Sequence, residues 1–411
     1  MDKVTIEKLG RQGDGIAQLH GKEIYVPATL AGEVVTVTGN SARKSLIDVI
    51  SPSPDRVPAL CTHFGECGGC QTQHMADEAY LAWKHFLVSE PFARAGITAQ
   101  VDPIITFPNG KRRKAVFRAE NSPNGFVFGF SASRSNQIIP IEQCPVLEPA
   151  ILENFDLLKA LARLAIAGKK DARISVLACE TGLDVTLQEI QKPDNRLRQG
   201  LMKFASDNGI LRLSLDDEVL IETEKPRVKI ASTQVTPPPA SFVQALKSAE
   251  DAMSTLVAGH LSSCKHIADL YCGIGTFALK LAEKSTVDAF EESQSALDAL
   301  DMAWRATGGK LRKLKTEKRN LNFRPVAFSE LKKTDGLVFD PPRAGAELQA
   351  KQIAKSKVRK VAAVSCNPVT LARDLKILLD GGYRINRIIP LDQFLYTPHV
   401  EVVVLLEKEA K

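Results

Sequence analysis

Four cysteines in the first half of the chain have the spacing of a metal-binding set. Cys61, Cys67 and Cys70 lie in the segment CTHFGECGGC, and Cys144 follows later, directly before a proline. A C-x5-C-x2-C triplet with a distant Cys-Pro is typical of four thiolates that hold an iron–sulfur cluster, and four ligands imply a closed, structural cluster. A four-cysteine zinc site is the alternative, because zinc takes the same ligands. Unliganded core cysteines are the third interpretation.

A second group of residues, in the C-terminal half, surrounds a glycine turn. The segment DLYCGIGTF, residues 269–277, leaves an apolar strand through this turn and enters a helix. Gly273 and Gly275 allow the backbone to approach a ligand, and the first strand of a doubly wound sheet is where an adenosine-containing cofactor lies. The third glycine of a dinucleotide fingerprint and the P-loop lysine are missing, so a phosphate cradle is not indicated.

An acid at the end of the next strand narrows the choice of cofactor. Glu291 is placed to accept hydrogen bonds from ribose hydroxyls, although Glu292 could exchange roles with it. Together with the glycine turn, this acid favours S-adenosylmethionine. The alternative is an exposed strand-end carboxylate without a ligand.

Two further motifs follow later strands, DPPR at 340–343 and SCNP at 365–368. Ligands of open α/β sheets bind outside the carboxyl ends of the strands, so both motifs fall on the cofactor face. Cys366 is either a small buried residue or a nucleophile, and its Ser, Asn and Pro neighbours indicate an exposed loop that favours the nucleophile. Glu401 adds a late carboxylate, or else a charge on an edge strand.

The 411 residues predict two or three domains. Short alternating runs separated by glycine turns predict an OB-like β-barrel over 1–53, which ends at the breaker SPSPDR. A mixed α+β central domain follows over 54–240, and TPPPAS at 236–241 marks its end. Residues 241–411 alternate helices with apolar strands, which predicts a doubly wound, mostly parallel sheet and an α/β fold class.

Composition and charge limit the possible partners. Hydrophobic residues make up 44% and charged residues 25% of the chain, as in globular proteins. The N-terminus lacks the apolar core of an export signal, and no apolar run approaches the ~18 residues of a spanning helix, so we expect a cytoplasmic protein without a membrane partner. The net charge is only +6, but basic residues cluster at 111–118 and 305–319. Each cluster, taken alone, favours a solvated face.

The motifs together are specific. CGxGxF after a strand, DPPR, SCNP and a final D-x-F…H-x-E, preceded by the cysteine pattern, resemble the bacterial RNA uridine C5-methyltransferase family. The resemblance covers nearly the whole chain, and the N-terminal segment looks like the TRAM RNA-binding module. With both this module and the cluster, the chain is most similar to the enzymes that form 5-methyluridine in 23S ribosomal RNA. The transfer-RNA branch of the family generally lacks the cluster.

The resemblance implies roles for individual residues. Cys366 would add to uracil C6, and Glu401 would remove the C5 proton. Phe242 would stack on an RNA base. The implied partner is RNA, 23S rRNA before tRNA, and we expect a monomer. Thr276 stands where relatives often have Asn, and Asn320 occupies a position that varies between Asn and Asp. The cofactor-binding residues implied for S-adenosylmethionine are Gln244, Tyr271, Thr276, Glu291, Asn320 and Asp340, and those implied for the 4Fe–4S cluster are Cys61, Cys67, Cys70 and Cys144.

Three other functions compete with this one. RNA cytosine C5-methyltransferases use a similar cysteine addition but carry two catalytic-loop cysteines, and only Cys366 is suitably placed here. An adenine N6 enzyme would show an aromatic residue after the Pro-Pro pair, where this chain has Arg343. A non-catalytic iron–sulfur RNA-binding protein is the third alternative, and the presence of both Cys366 and Glu401 argues against it.

Overall fold

Short antiparallel strands form the N-terminal part of the protein. The computed structural model describes residues 1–122, 125–166, 171–190 and 193–408. The first strands are β1 (Asp2–Thr5), β2 (Lys8–Leu9), β3 (Gly15–Leu19), β4 (Lys22–Val26), β5 (Val34–Thr38) and β6 (Ser45–Ser51). They form two three-stranded sheets, β1-β5-β6 and β2-β3-β4, around one small apolar core.

The alternating run from Val4 to Leu9 is divided between two strands, β1 and β2. The Ile6 amide donates to the Glu33 carbonyl at 2.8 Å, whereas the Glu7 amide donates to the Ile16 carbonyl at 2.8 Å. The chain therefore changes from one sheet to the other between these residues, which the alternation of apolar residues could not reveal.

A seven-stranded sheet forms the middle of the protein. Its order is β13-β12-β11-β10-β7-β8-β9, and it is antiparallel except for the β11–β12 pair. Helix α3 presents buried residues at helical spacing to this sheet, and they share its core. The elements are α1 (Asp77–Arg94), β7 (Lys114–Ser122), β8 (Gly125–Ser131), β9 (Ile138–Pro140), α2 (Pro149–Glu153), α3 (Phe155–Ala165), β10 (Asp171–Ala178), β11 (Leu183–Gln188), α4 (Asn195–Asp207), β12 (Arg212–Leu215) and β13 (Glu218–Glu222).

The C-terminal part contains a doubly wound sheet, as predicted, which is preceded by a separate two-stranded sheet. Its elements are β14 (Val228–Ile230), β15 (Thr233–Val235), α5 (Lys247–His260), β16 (His266–Leu270), α6 (Ala278–Leu281), β17 (Thr286–Glu291), α7 (Gln294–Ala306), β18 (Leu314–Lys318), a 3-10 helix (Glu330–Lys333), β19 (Gly336–Phe339), α8 (Glu347–Lys355), β20 (Lys360–Ser365), α9 (Pro368–Asp380), β21 (Tyr383–Leu391) and β22 (Glu401–Lys408). The order is β18-β17-β16-β19-β20-β22-β21. The first five strands are parallel, and β22 is antiparallel to both neighbours. Apolar cores cover both faces.

Helix α1 packs onto this C-terminal sheet. Trp83, Leu87 and Phe92 share one core with residues of α9 and β22. The chain after the helix stays attached, because Val101 bridges to Ile388 of β21. Residues of the predicted central domain thus help to build the core beneath the candidate site. The predicted boundaries at 53 and 240 remain predictions.

The two basic clusters are not simply solvated faces. Arg113 is buried and pairs with Glu250 of α5, and Lys114 donates to the carbonyls of Ala240 and Ser241 at 2.7 Å each. In the second cluster, Arg319 is buried and pairs with two glutamates, 317 and 330. The solvated-face interpretation is wrong for these three cations, which serve internal contacts. None of the helices in the described ranges is long and apolar enough to cross a membrane.

Candidate active site

The glycine turn between β16 and α6 has a left-handed backbone. Tyr271 has a φ of 63°, Gly273 of 53° and Gly275 of 100°, in a region that glycine enters without steric cost. At Gly275 a Cβ atom would lie 2.5 Å from Leu300 Cδ1. Only glycine satisfies both the conformation and the space at this position.

Glu291, the last residue of β17, closes this turn. Its Oε2 accepts from the Gly273 amide at 3.1 Å, and its Oε1 accepts from the Glu292 and Ser293 amides at 2.8 and 2.9 Å. These three bonds leave part of the acceptor capacity of the carboxylate unused. The structure thus brings the predicted acid to the predicted turn, while Glu292 contributes its amide.

The remaining residues predicted to bind the cofactor lie around the same edge of the sheet. Asn320 follows β18 and accepts from the Asn322 amide at 3.1 Å, and the Tyr271 hydroxyl donates to Asn322 Oδ1 at 3.5 Å. Thr276 lies in the turn, half-buried. The Gln244 side chain is directed to Asp340 and Gln393, as described below.

Cys366 lies in a tightly held loop between β20 and α9. Asn367 caps the helix, since its Oδ1 accepts from the Val369 amide at 3.2 Å. The Asn367 Nδ2 donates to the Arg343 carbonyl at 2.9 Å, and the Thr370 hydroxyl donates to the same carbonyl at 3.2 Å. These bonds join the SCNP loop to the DPPR loop and fix the position of the sulfur between them.

The sulfur faces charges of both signs. Burial, together with the charges of Glu401 and Asp340, raises the pKa of the Cys366 thiol to about 11. The Arg343 side chain opposes them through its charge and a hydrogen bond. Arg343 Nη2 lies 3.1 Å from His399 Nε2, and burial lowers the His399 pKa to about 4, so the neutral ring can accept this bond.

Two carboxylates and two amides form one buried network beside Cys366, which we call the carboxylate network: Gln244, Asp340, Gln393 and Glu401. Gln244 Nε2 donates to Asp340 Oδ2 at 3.3 Å. Gln393 Nε2 donates to Gln244 Oε1 at 2.9 Å and to Glu401 Oε2 at 2.6 Å. Burial raises the pKa of Asp340 to about 7. Burial and the charge of Asp340 raise the Glu401 pKa well above its usual range.

A buried lysine of α1 holds the segment that precedes Glu401. Lys84 Nζ contacts Asp392 Oδ1 at 2.7 Å, the Phe394 carbonyl at 3.1 Å and the His399 carbonyl at 2.7 Å. The Tyr80 hydroxyl donates to the other Asp392 oxygen at 2.7 Å. Residues 392–399, hereafter the 392–399 segment, are therefore fixed from both ends by a single helix.

The four cysteines predicted to bind a cluster line one cavity of about 250 Å³. Residues 61–71 form the loop that carries three of these cysteines, hereafter the cysteine loop. Gly68 lies where this loop crosses the end of β8, and a Cβ atom there would come within 2.9 Å of the Ser131 carbonyl. Burial raises the pKa of the Cys144 thiol to about 11 and also raises those of Cys67 and Cys70. Among the described residues, no three or more His, Cys, Asp or Glu side chains form a site for a metal ion.

The cysteine loop touches the 392–399 segment directly. The Gln71 amide donates to the Tyr396 carbonyl at 2.7 Å. Arg112 lines the cysteine cavity and donates to the Leu395 carbonyl at 2.8 Å and to the Gly69 carbonyl at 3.4 Å. The cysteine cavity and the carboxylate network are therefore joined through one stretch of backbone.

Several residues of this site have no role that a sequence motif predicts. Gln393 and Lys84 gave no signal, because a glutamine and a lysine within apolar surroundings look like exposed residues until the packing is known. Asp269, on β16, is fully buried, and burial and the charge of Asp340 raise its pKa well above the usual range. Asp269 could have been singled out from the sequence, because it is an acidic residue inside an apolar strand.

The fold and the strand-edge site define a methyltransferase architecture. The structure resembles the crystal structure of Pyrococcus abyssi tRNA (uracil-54, C5)-methyltransferase in complex with S-adenosyl-L-homocysteine. The TM-score is 0.73 at 23% sequence identity, and the match covers 98% of this chain and 100% of that chain.

Sequence comparison gives the family. A family model for tRNA (uracil-5-)-methyltransferase matches residues 212–409. An uncharacterised RNA methyltransferase of Agrobacterium fabrum is 45% identical over 412 residues, covering 98% of this chain and 99% of the relative. The 23S rRNA (uracil(1939)-C(5))-methyltransferase of Vibrio vulnificus is 30% identical over 428 residues, covering 99% and 96%. The chain belongs to the RNA uracil C5-methyltransferase family, as its motifs predict.

Proposed function

We propose that this protein transfers a methyl group from S-adenosylmethionine to C5 of a uridine in RNA, with 23S rRNA as the first candidate substrate. The observation that carries the proposal is the position of Cys366 against Asp340, Glu401 and Arg343, at the strand edge that also holds the glycine turn. The Vibrio relative that names 23S rRNA matches nearly the whole chain, which supports rRNA before tRNA.

The reaction needs a nucleophile because uracil C5 alone reacts poorly with a methyl sulfonium. The Cys366 thiolate adds to C6, and the electron pair of the C5=C6 bond moves into an enolate. C5 then forms a bond to the methyl carbon, and the electron pair of the broken carbon–sulfur bond remains on the departing thioether. Arg343, which faces the sulfur, favours the thiolate form of Cys366.

The second half of the reaction needs a base. Glu401 removes the proton from C5, and the released electron pair forms the C5=C6 bond again. The C6–sulfur bond breaks, and its electrons return to Cys366 as a thiolate. Glu401 suits this step because it is buried beside Cys366 and its Oε1 has no hydrogen-bond partner among the described residues.

S-adenosylmethionine would supply the electrophilic methyl group, and the residues present fit such a cofactor. Glu291 keeps acceptor capacity for a ribose, and the left-handed turn at Gly273 and Gly275 leaves backbone open to a ligand. Tyr271, Thr276 and Asn320 are assigned to the same pocket. Asp340 and Gln244, which bond each other, would complete the cofactor-binding set.

A uridine within folded RNA must leave its stack to reach Cys366. Phe242 is 71% exposed, and we assign it to stacking on an unpaired base. We further propose that residues 1–53 act as a TRAM-like RNA-binding domain, 54–240 as the central domain and 241–411 as the methyltransferase domain, in a monomeric protein.

We also propose a 4Fe–4S cluster on Cys61, Cys67, Cys70 and Cys144. The shared cavity supports it, because all four cysteines line one space of about 250 Å³, as the four thiolate ligands of such a cluster must. Protein purified without oxygen should be brown and contain about four irons and four sulfides per chain. Stoichiometric zinc without iron would favour the zinc alternative instead.

The function is tested by incubating the protein with unmodified 23S rRNA or tRNA and methyl-labelled S-adenosylmethionine, then analysing the nucleosides. Label in 5-methyluridine from rRNA is the expected result. Label from tRNA alone would change the substrate, and label in 5-methylcytidine would move the protein to the cytosine reaction. If neither RNA is labelled while the cluster is intact, the proposed activity is wrong.

A further inference from the structure

Gln393 occupies the centre of the carboxylate network, although no motif marks it. Its side chain is completely buried, at 0% exposure. Its Nε2 carries two hydrogens, and both are used: one donates to Glu401 Oε2 at 2.6 Å and the other to Gln244 Oε1 at 2.9 Å. Its Oε1 has no partner among the described residues.

These two bonds fix the direction of the amide. Turning the amide by half a rotation would place its carbonyl oxygen against the Glu401 carboxylate, where two acceptors repel each other. The neighbouring Asp392 is held by Lys84 and Tyr80. Gln393 is therefore a rigid donor rather than an adaptable contact.

We propose that Gln393 is a positioning residue that holds the Glu401 carboxylate ready to accept the C5 proton. The inference rests on the proposed function, because it assumes that Glu401 is the base. It predicts that loss of Gln393 slows proton removal after methyl transfer, while addition of Cys366 and methyl transfer continue.

The charges around Glu401 explain why one donor matters. Asp340 faces Glu401 from the DPPR loop, and Cys366 faces it from the SCNP loop as a thiolate before it adds to C6. Arg343 faces the sulfur from the DPPR loop. His399, on the 392–399 segment with Gln393, is neutral at ordinary pH because burial lowers its pKa to about 4. Burial and Asp340 raise the Glu401 pKa, and the Gln393 hydrogen bond opposes them. Without that bond, the ionised carboxylate would be scarcer.

A slow second half-reaction leaves a specific product. The methylated uracil would stay joined to Cys366 through its C6–sulfur bond, with the C5 proton still in place. Such an adduct survives denaturation and can be counted as protein-linked RNA on a denaturing gel.

The experiment compares Gln393→Met with the wild type, using 23S rRNA and S-adenosylmethionine. Methionine keeps the length of the side chain but donates no hydrogen bond. We expect the methyl group to be transferred in the first turnover at about the wild-type rate, steady-state turnover to fall at least about tenfold, and the adduct to accumulate. Raising the pH should restore part of the turnover by ionising Glu401.

Two further variants separate positioning from folding. Gln349, on α8, is equally buried and bonds the backbone of Val326, so Gln349→Met controls for the loss of any buried glutamine and should not accumulate adduct. Gln393→Asn keeps an amide that is too short to reach both partners. It should accumulate adduct even if the methionine variant does not fold.

The outcomes are distinct. Adduct in every Gln393 variant that folds, but not in Gln349→Met, supports the inference. Wild-type turnover in folded Gln393 variants, or equal loss of methyl transfer and turnover, overturns it while the proposed function stands. Absence of 5-methyluridine with the wild-type protein defeats the proposed function, and the inference with it.

Discussion

The carboxylate network and the cysteine cavity are two polar clusters built in opposite ways. The network takes its residues from four separate positions along the C-terminal half, and hydrogen bonds within the chain connect them. The cavity takes three of its four cysteines from one loop, and its volume is about 250 Å³.

The difference shows how each cluster reaches its working arrangement. The network is organised before substrate arrives, because packed neighbours hold its members in place. The cysteine thiols, whose pKa values burial raises, must lose their protons to become ligands, so the cysteine loop would gain stability as its proposed cluster binds. Contacts from Gln71 and Arg112 join the two, so a disturbance of one can reach the other.

The largest effect should come from removing the nucleophile. Cys366→Ala should lower 5-methyluridine formation by at least about 10³-fold, because no other group can form the C6 adduct. The unfolding midpoint should change little, since the loop is held by Asn367 and not by the sulfur. Cys264→Ala is the matched control. It removes a buried cysteine that lies just before β16, at the opposite end of the parallel strands from Cys366, and it should retain activity. Retained methylation in Cys366→Ala would show that the carboxylate network does not surround the nucleophile, and the comparison with the cysteine cavity would fail.

The connection through Lys84 is tested by Lys84→Met. The variant leaves Asp392 buried without its cation, which should cost about 3–5 kcal/mol in the free energy of unfolding. Urea unfolding measures this, and adding Asp392→Asn should recover part of the loss. Lys203→Met removes an exposed cation paired with Asp207 and should leave the midpoint unchanged. Equal stability of the two lysine variants would show that Lys84 does not hold the 392–399 segment in place.

An effect on RNA binding alone should follow from Phe242→Ala. Stacking of a base on an aromatic ring contributes about 1–3 kcal/mol, so the KM for RNA should rise roughly 5- to 150-fold without loss of stability. Steady-state kinetics with wild type and variant provide the test. Phe86→Ala removes another exposed ring, on α1, and serves as the control. An unchanged KM for Phe242→Ala would separate this ring from the site.

The smallest effect is a shift in pH dependence. The pKa of Cys366 is raised to about 11 and that of Asp340 to about 7, and methylation needs an ionised thiol and an ionised base, so the rate should rise as pH increases above 7. Asp340→Asn removes a negative charge that raises the pKa values of both Cys366 and Glu401. The profile of kcat/KM should therefore move to lower pH, by about one unit, together with a lower maximum. A profile that keeps its position would show that Asp340 does not face these groups.

The sequence predicted the alternation of helices and strands in the C-terminal sheet, because its buried strands are apolar runs. Strand β18 carries no such signal, because Lys315, Glu317 and Lys318 make it look like a charged surface run. It is an edge strand, where charged side chains are tolerated and discourage pairing with other chains.

The site was predictable only where chemistry marks a residue by type. Cys366 and Asp340 stand in compact motifs at strand ends, and parallel strands bring such ends together. Gln393 and Lys84 could not be found this way, since their roles depend on partners 8 and 308 positions away, Glu401 and Asp392. Arg113 looked like part of a basic surface because its partner Glu250 lies on a distant helix.

The bond between Lys84 and Asp392 also constrains the order of events during synthesis. The two residues are 308 positions apart, so helix α1 leaves the ribosome long before its anionic partner is made. Until then the cation must remain in water, and the helix cannot settle into its final core. Glu401, the cysteine loop and helix α1 can therefore reach their final positions only after β22 has been made. A chain interrupted before residue 392 should have no partly active form.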